Sequence, residues 1–379
     1  MKQLATLIIL ISINSLIFAQ CNGRYQTEIF SSVAVNEVNY SDVYNDNEHK
    51  MDIYTANGDT VTNRPVILYM HGGSFLGGNK SEIDCVDFCE NFAKKGYVTA
   101  SANYRLALDP QSFALYQEEQ YTTVLKVVSD IKGAIRYFRK SIVNGNPYGI
   151  DGNAIFIGGY SAGAVAAIHS SYIDAISDLP ISITYTDLLT GQTVDFNPQD
   201  LVSTIGGNLE GDAGNYGFSS EVSGVVSFAG GINDINWIDI NDEPIVSCQG
   251  DADQIVNYNC GPGLNIPTVF TLCGAAEIHP KANIEGLTND YLVFSGEGHE
   301  WCSAGNSSSL FLQALDFTSA FLFPLLPCNN TTSISEENTR NKQLIRTTDM
   351  LGRNANTINN GPLFYIFDDG SVEKKIIIN

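Results

Sequence analysis

The chain has 379 residues and a formal net charge of −22, with 20 Lys+Arg against 42 Asp+Glu. Between Ser141 and Thr339 the only cation-bearing residue of the Lys/Arg type is Lys281, which argues against nucleic acid and other polyanions as partners. Eight cysteines with neither a CxxC nor a Cys/His zinc spacing point to structural disulfides in an oxidising compartment and away from a metal.

The first nineteen residues, "MKQLATLIILISINSLIFA", carry one lysine, an apolar run and a small residue at Ala19. That is the layout of a secretory signal peptide, too short for a stable membrane anchor. Gln20 before Cys21 argues against a lipoprotein cleavage site, and no later segment is apolar enough over enough residues to span a bilayer. A mature catalytic domain over 20–332 and a distinct tail over 333–379 are expected. Cys260 with Cys273, and Cys302 with Cys328, are candidate disulfide pairs, although spacing leaves the connectivity open.

The elements then follow in order. "VAVNEVNYSDVY" and "HKMDIYTA" read as an opening pair of strands, and "PVILYMHGG" as a buried strand leaving through two glycines. "CVDFCENFAKKG" has helical spacing and a terminal glycine; "YVTASANYRL" is a strand and "YTTVLKVVSDIKGAIRYFRKSIV" a long amphipathic helix. "NAIFIGGYSAG" passes from strand to glycine-rich turn, and "AVAAIHSSYIDAI" continues as helix. The strands "VVSFAGG", "PIVSCQGD" and "YLVFSGEG" and the helix "SSLFLQALDFTSAFLF" complete the core. Continuous apolar strands alternating with helices predict an α/β fold with a largely parallel sheet covered on both faces. Two long stretches, about 175–222 and 257–290, interrupt the rhythm and are expected near the C-terminal edge of the sheet, where such folds bind ligands.

"GGYSAG" contains G-x-S-x-G at Gly159, Ser161 and Gly163, placed directly between an apolar strand and an alanine-rich helix. A sharp turn in that setting exposes the serine at its tip and puts a helix N-terminus behind it, where developing negative charge is favoured. Such a serine needs a base. His299, in "FSGEGHEW", follows the last predicted strand and is the first candidate, with His279 in "EIHP" its rival. His71 belongs to "HGGSF", His49 to a polar N-terminal region, and His169 lies two turns into the helix after Ser161. The orienting acid is expected in "VSCQGDADQIV", as Asp251 or Asp253.

From about residue 35 to 326 the chain resembles a carboxylesterase/lipase of the α/β-hydrolase superfamily, on the side of the hormone-sensitive-lipase-like esterases. "HGGSF", "NYRLA", "GYSAG", "GDADQIV" and "GEGH" carry the resemblance, in the right order on the right elements. It implies a Ser161–Asp253–His299 triad, because in that family the acid stands three residues after the glycine of G-x-x-D-x-x-V. It further implies an oxyanion hole of backbone N–H groups from Gly73, Ser74 and Ala162, with no cofactor. At Ser74 many relatives have glycine, so its side chain is expected to narrow the pocket. Short acyl groups are therefore expected, the more so because 175–222 offers little apolar surface to receive a long one.

The tail carries a second resemblance. "DMLGR" (349–353) and "PLFYIFDDGSVEKKIIIN" (362–379) are similar to the C-terminal sorting domain of the type IX secretion system of Bacteroidetes. This implies a small β domain, engagement of that machinery and delivery outside the cell. The expected function is a secreted serine hydrolase of carboxylic esters, acting on short-chain or acetyl- or feruloyl-type esters. A peptidase or amidase, a polyester hydrolase or lipase of the same fold, and a non-catalytic adhesion module are the alternatives.

Overall fold

The computed structural model describes residues 21–328, 344–348, 353, 361–367 and 372–377. The predicted signal segment, residues 349–352 of "DMLGR" and the Asp-Gly turn at 369–370 lie outside the described residues. Two compact units emerge, Met1–Asn330 and Thr331–Asn379.

The first unit opens with β1 (Val33–Asn39), β2 (Lys50–Ala56) and β3 (Arg64–Met70), then α1 (Ile83–Lys94) and β4 (Val98–Ala102). After α2 (Pro110–Leu115) and α3 (Gln117–Val143) come β5 (Ile150–Tyr160) and α4 (Ala162–Tyr172). A small hairpin of β6 (Ile183–Thr186) and β7 (Thr193–Phe196) precedes β8 (Val225–Phe228) and β9 (Ile245–Gly250). A second hairpin, β10 (Cys260–Pro262) with β11 (Thr271–Cys273), leads into α5 (Ala275–Glu285), β12 (Asn289–Phe294) and α6 (Ser309–Leu322).

Eight strands form one sheet in the order β1-β2-β4-β3-β5-β8-β9-β12. The pairs from β4 to β12 are parallel, and only the β1–β2 and β2–β4 pairs are antiparallel. The apolar runs alternate between two cores, as the two-residue period of a strand requires. On β3, Val66, Leu68 and Met70 pack on the side that holds α3 and α4, whereas Ile67 and Tyr69 face the side that holds α1 and α6. A strand buried on both faces must be apolar throughout, which is why these segments carry no polar alternation. This is the α/β-hydrolase fold.

The stretch 175–222 is polar for a structural reason. It lies along α3, where Asp212 accepts hydrogen bonds from Arg105 Nη2 at 2.7 Å, Tyr44 Oη at 2.7 Å and Ser129 Oγ at 2.9 Å. Burial opposes ionisation of Asp212, but these donors prevail and hold its pKa down to about 2. Arg105 of "NYRLA" also grips the fully buried Asp130, so the motif's arginine ties the insert to the core.

The disulfides only partly follow expectation. Cys260 and Cys273 are joined, but Cys328 is paired with Cys21, 307 residues away, not with Cys302. Cys302 is a free, fully buried thiol in the core beneath α1 and α6, turned toward Tyr69. Cys328 is instead met by Cys21, next to a segment whose Tyr25 amide bonds the Lys95 carbonyl after α1. Proximity in sequence carries no information about that closure.

Asp84 sits in the first turn of α1, where backbone amides favour a carboxylate. It is 4 % exposed, and its partners are the Asp84 and Cys85 amides of its own turn and the Cys85 thiol at 3.8 Å. Burial, helped by the negative charge of Glu82, therefore wins and raises its pKa to about 7. A raised carboxyl pKa gives a stability contribution that is full below the unfolded value near 4 and is lost as pH rises through about 7. Asp84→Asn, which stays neutral, is expected to match the wild type at pH 4 and to be more stable at pH 8, by up to ~4 kcal/mol. Urea midpoints at the two pH values check this; a variant less stable at pH 8 would reveal a partner for the carboxylate.

The second unit is a three-stranded antiparallel sheet of β13 (Leu344–Thr348), β14 (Gly361–Phe367) and β15 (Val372–Ile377), in that order.

Candidate active site

The serine turn follows directly from its glycines. β5 ends at Tyr160, Ser161 takes φ 54° and ψ −121°, and α4 begins at Ala162. A left-handed serine is strained and persists only where its surroundings dictate it. They do so by crowding: a Cβ on Gly163 would stand 2.2 Å from the Met70 carbonyl oxygen at the end of β3. Only glycine lets the first turn of α4 sit against the end of β3 there, so the serine side chain is held out at the C-terminal edge of the sheet.

Three side chains from three strand ends converge on that point. Ser161 Oγ donates to His299 Nε2 at 2.7 Å, and His299 Nδ1 donates to Asp253 Oδ2 at 2.7 Å. The direction follows from chemistry, since a carboxylate only accepts and must therefore face a protonated Nδ1. The other oxygen of Asp253 accepts from the Ile255 and Val256 amides at 2.9 and 3.0 Å, which locks the carboxylate's orientation. All three residues are buried.

The rival residues have other partners. Asp251 accepts from Ser295 Oγ and the Gly296 amide, so it shapes the turn that precedes His299. His279 is fully buried on α5, bonded to Asn289 and stacked on Tyr291 at 4.6 Å, and burial lowers its pKa to about 4. His169 bonds the Val165 carbonyl within α4, and His49 lies between Asp46 and Asp130.

The "HGGSF" loop lies against the serine: a Cβ on Gly72 would stand 3.3 Å from Ser161 Cβ. Gly73 has φ +114°, and a Cβ there would strike the Gly77 carbonyl oxygen at 2.2 Å. Ser74 and Phe75 follow with φ of 58° and 61°. This run of left-handed residues curls the backbone so that the amides of Gly73 and Ser74, like that of Ala162 at the start of α4, bond no acceptor among the described residues. Free amides clustered beside a serine hydroxyl form a site for an anionic oxygen. His71 braces the loop. Its ring stacks on Tyr104 at 4.2 Å, its Nδ1 donates to the Gly72 carbonyl, and burial lowers its pKa to about 4, so it is neutral.

One contributor was not identified from sequence. Tyr160, the variable residue before Ser161, lays its ring 5.2 Å from that of His299, and its hydroxyl donates to the His299 carbonyl at 3.1 Å. An aromatic residue inside G-x-S-x-G was the available signal.

A cleft with about 360 Å³ of empty space leads away from Ser161 and opens to solvent. Its wall is apolar: Phe75 and Phe113, Val165 on α4, Ile255 and Val256, and Leu264, Val269, Phe270 and Leu272 from the disulfide-linked hairpin. The 257–290 stretch thus lines the site as expected, whereas no residue of 175–222 borders this cleft. Ser74 is among its lining residues. Among the described residues no group of three or more His, Cys, Asp or Glu side chains is placed to hold a metal, and no helix is long and apolar enough to cross a membrane.

The fold is shared with a truncated carbohydrate esterase from gut microbiota, at 19 % identity and TM-score 0.51 over 78 % of this chain and 98 % of that one. It is shared equally with a propionate-bound thermophilic esterase of Thermogutta terrifontis, at 18 % identity and TM-score 0.50 over 78 % and 94 %. No curated protein is significantly similar to the chain. The BD-FAE family model matches residues 51–265, more than half of the chain, and covers the loop at His71, the Ser161 turn and Asp253. The chain therefore belongs to the BD-FAE family of α/β-hydrolase-type esterases.

Proposed function

We propose that the protein is a secreted serine hydrolase of carboxylic esters with short acyl groups. The observation that carries this reading is the unbroken relay from Ser161 Oγ through His299 to Asp253, with both links at 2.7 Å. In this mechanism His299 Nε2 takes the Ser161 proton as Oγ attacks the ester carbonyl. The oxygen of the tetrahedral intermediate settles among the Gly73, Ser74 and Ala162 amides, each such donor being worth roughly 3 kcal/mol. His299 then protonates the departing alkoxide, and a water activated by the same imidazole releases the acid from the acyl-enzyme. Asp253 holds the tautomer that leaves Nε2 free to accept, and stabilises the imidazolium.

Acyl length follows from the cleft. Each methylene received by an apolar wall contributes ~0.8 kcal/mol, and the apolar cleft beside Ser161 is too small to receive more than a few. Activity on p-nitrophenyl esters is expected to peak between acetyl and butyryl and to decline by octanoyl, without activation at an oil–water interface. A C2–C16 series with a p-nitroanilide peptide control tests this. A maximum at C10 or beyond would favour a lipase, preferential anilide cleavage an amidase, and no turnover an adhesion module. Acetyl and feruloyl esters of plant polysaccharide are natural members of the panel.

Export is part of the same reading. Two disulfides suit an oxidising compartment, and the three antiparallel strands of the second unit suit a sorting domain. The intact mass of the protein recovered outside a host with type IX secretion is expected to lack both the first nineteen residues and the tail.

A further inference from the structure

Phe270 borders two clefts at once. One is the cleft at Ser161; the other is narrow, with about 10 Å³ open to a water-sized sphere, and is bounded by Tyr121, Leu125, His169, Ile173, Leu179 and Trp237, among others. The two follow one another along a single helix. Ser161, Val165 and His169 stand four residues apart at the start and along one face of α4, so each step advances about 6 Å along its axis. Val165 borders the first cleft and His169 the second. Among the described residues Phe270 alone lines both spaces.

That ring is held firmly. Gln120, fully buried on α3, accepts from the Phe270 amide at 2.9 Å and donates to the Phe113 and Thr268 carbonyls at 2.7 and 3.2 Å. Tyr121 packs against Phe270 with centroids 5.8 Å apart, and Cys260–Cys273 closes the hairpin that bears it. The second space is lined by uncharged side chains, with Asn233 the one amide among them. His169 Nδ1 donates to the Val165 carbonyl, and burial lowers its pKa to about 4, so the imidazole is uncharged at neutral pH.

We propose that Phe270 is the specificity-determining stop of the acyl site, and that removing its ring joins the narrow space behind it to the cleft at Ser161 and admits an unbranched aliphatic acyl chain of medium length. The proposal rests on the serine-esterase reading above. It replaces a missing apolar wall with a present aromatic stop as the cause of short-chain preference.

The test is the ratio of kcat/KM for p-nitrophenyl octanoate to that for the butyrate. Phe270→Ala is expected to raise this ratio at least tenfold, mainly through KM, and Phe270→Leu to raise it less, with hexanoate gaining first. Adding Leu125→Phe, which fills the second cleft, to Phe270→Ala is expected to return the ratio toward the wild-type value. An unchanged or lowered ratio in Phe270→Ala overturns the proposal, as does a raised ratio that Leu125→Phe leaves in place. Should Phe270→Ala not fold, an unchanged profile in Phe270→Leu overturns it equally. Ser161→Ala assayed on p-nitrophenyl acetate separates the two ideas: turnover within tenfold of wild type there sinks the serine mechanism, whereas a loss of several orders of magnitude alongside an unmoved chain-length ratio sinks only the role of Phe270.

Discussion

Ser161→Ala and His299→Ala are each expected to lower kcat for ester hydrolysis by roughly 10⁴- to 10⁶-fold, and the double variant to be little worse than either. The non-additivity is the informative part. Oγ is a nucleophile only while Nε2, 2.7 Å away, can take its proton, and Nε2 has no proton to take once Oγ is gone. Removing either one therefore removes the same step. Both changes are small, so far-ultraviolet circular dichroism and melting temperature should hold. A residual rate above uncatalysed hydrolysis is expected, because the amides of Gly73, Ser74 and Ala162 remain to bind an anionic oxygen. His279→Ala belongs in the same assay. It is buried on α5 with Asn289 and Tyr291 as neighbours, so its loss should affect stability and not the chemical step. If His299→Ala kept a tenth of wild-type kcat while His279→Ala did not, the base would be misassigned.

The second large effect is at the carboxylates. Asp253→Asn is expected to cost ~10⁴-fold in kcat with little change in KM. The asparagine amide would donate toward His299 Nδ1 and favour the tautomer with hydrogen on Nε2, which cannot accept from Ser161. The same substitution at Asp251 should cost a few-fold at most, since that side chain bonds the Ser295 hydroxyl and the Gly296 amide of the turn and is not joined to His299. The two residues are two positions apart in one loop, so the contrast is a sharp control. A larger kcat loss at Asp251 than at Asp253 would mean that the orienting acid has been placed two residues out of register.

Parts of this site were legible because local chemistry dictates them. A strand that runs into Gly-x-Ser-x-Gly and then a helix has few conformations open to it, since any Cβ at Gly163 would meet the Met70 carbonyl. The same holds for Gly73, whose left-handed backbone no other residue adopts cheaply. The continuous apolar runs of β3, β5, β8 and β9 announced a sheet buried on both faces, because a half-exposed strand would have alternated. Placing His299 after the last strand followed from the order of elements.

Tertiary structure alone decided what depends on distant segments meeting. The choice of Asp253 over Asp251 rested on family resemblance in the sequence, and becomes a matter of distance only once the loops after β9 and β12 lie side by side. The pairing of Cys328 with Cys21 across 307 residues left no local trace, and Cys302 looked available until the core closed over it. The 175–222 stretch reads as a candidate site wall, yet its carboxylate Asp212 is committed to Arg105 and its residues stay clear of the Ser161 cleft. Phe270 reads as one apolar residue in a loop; in the fold it lines two clefts, and Gln120, from a helix 150 residues earlier, accepts from its backbone amide. Backbone conformation is set by a few neighbouring atoms and so is written locally. Which side chain ends a cavity depends on how separate loops close around it, and no spacing in one loop encodes the shape of another.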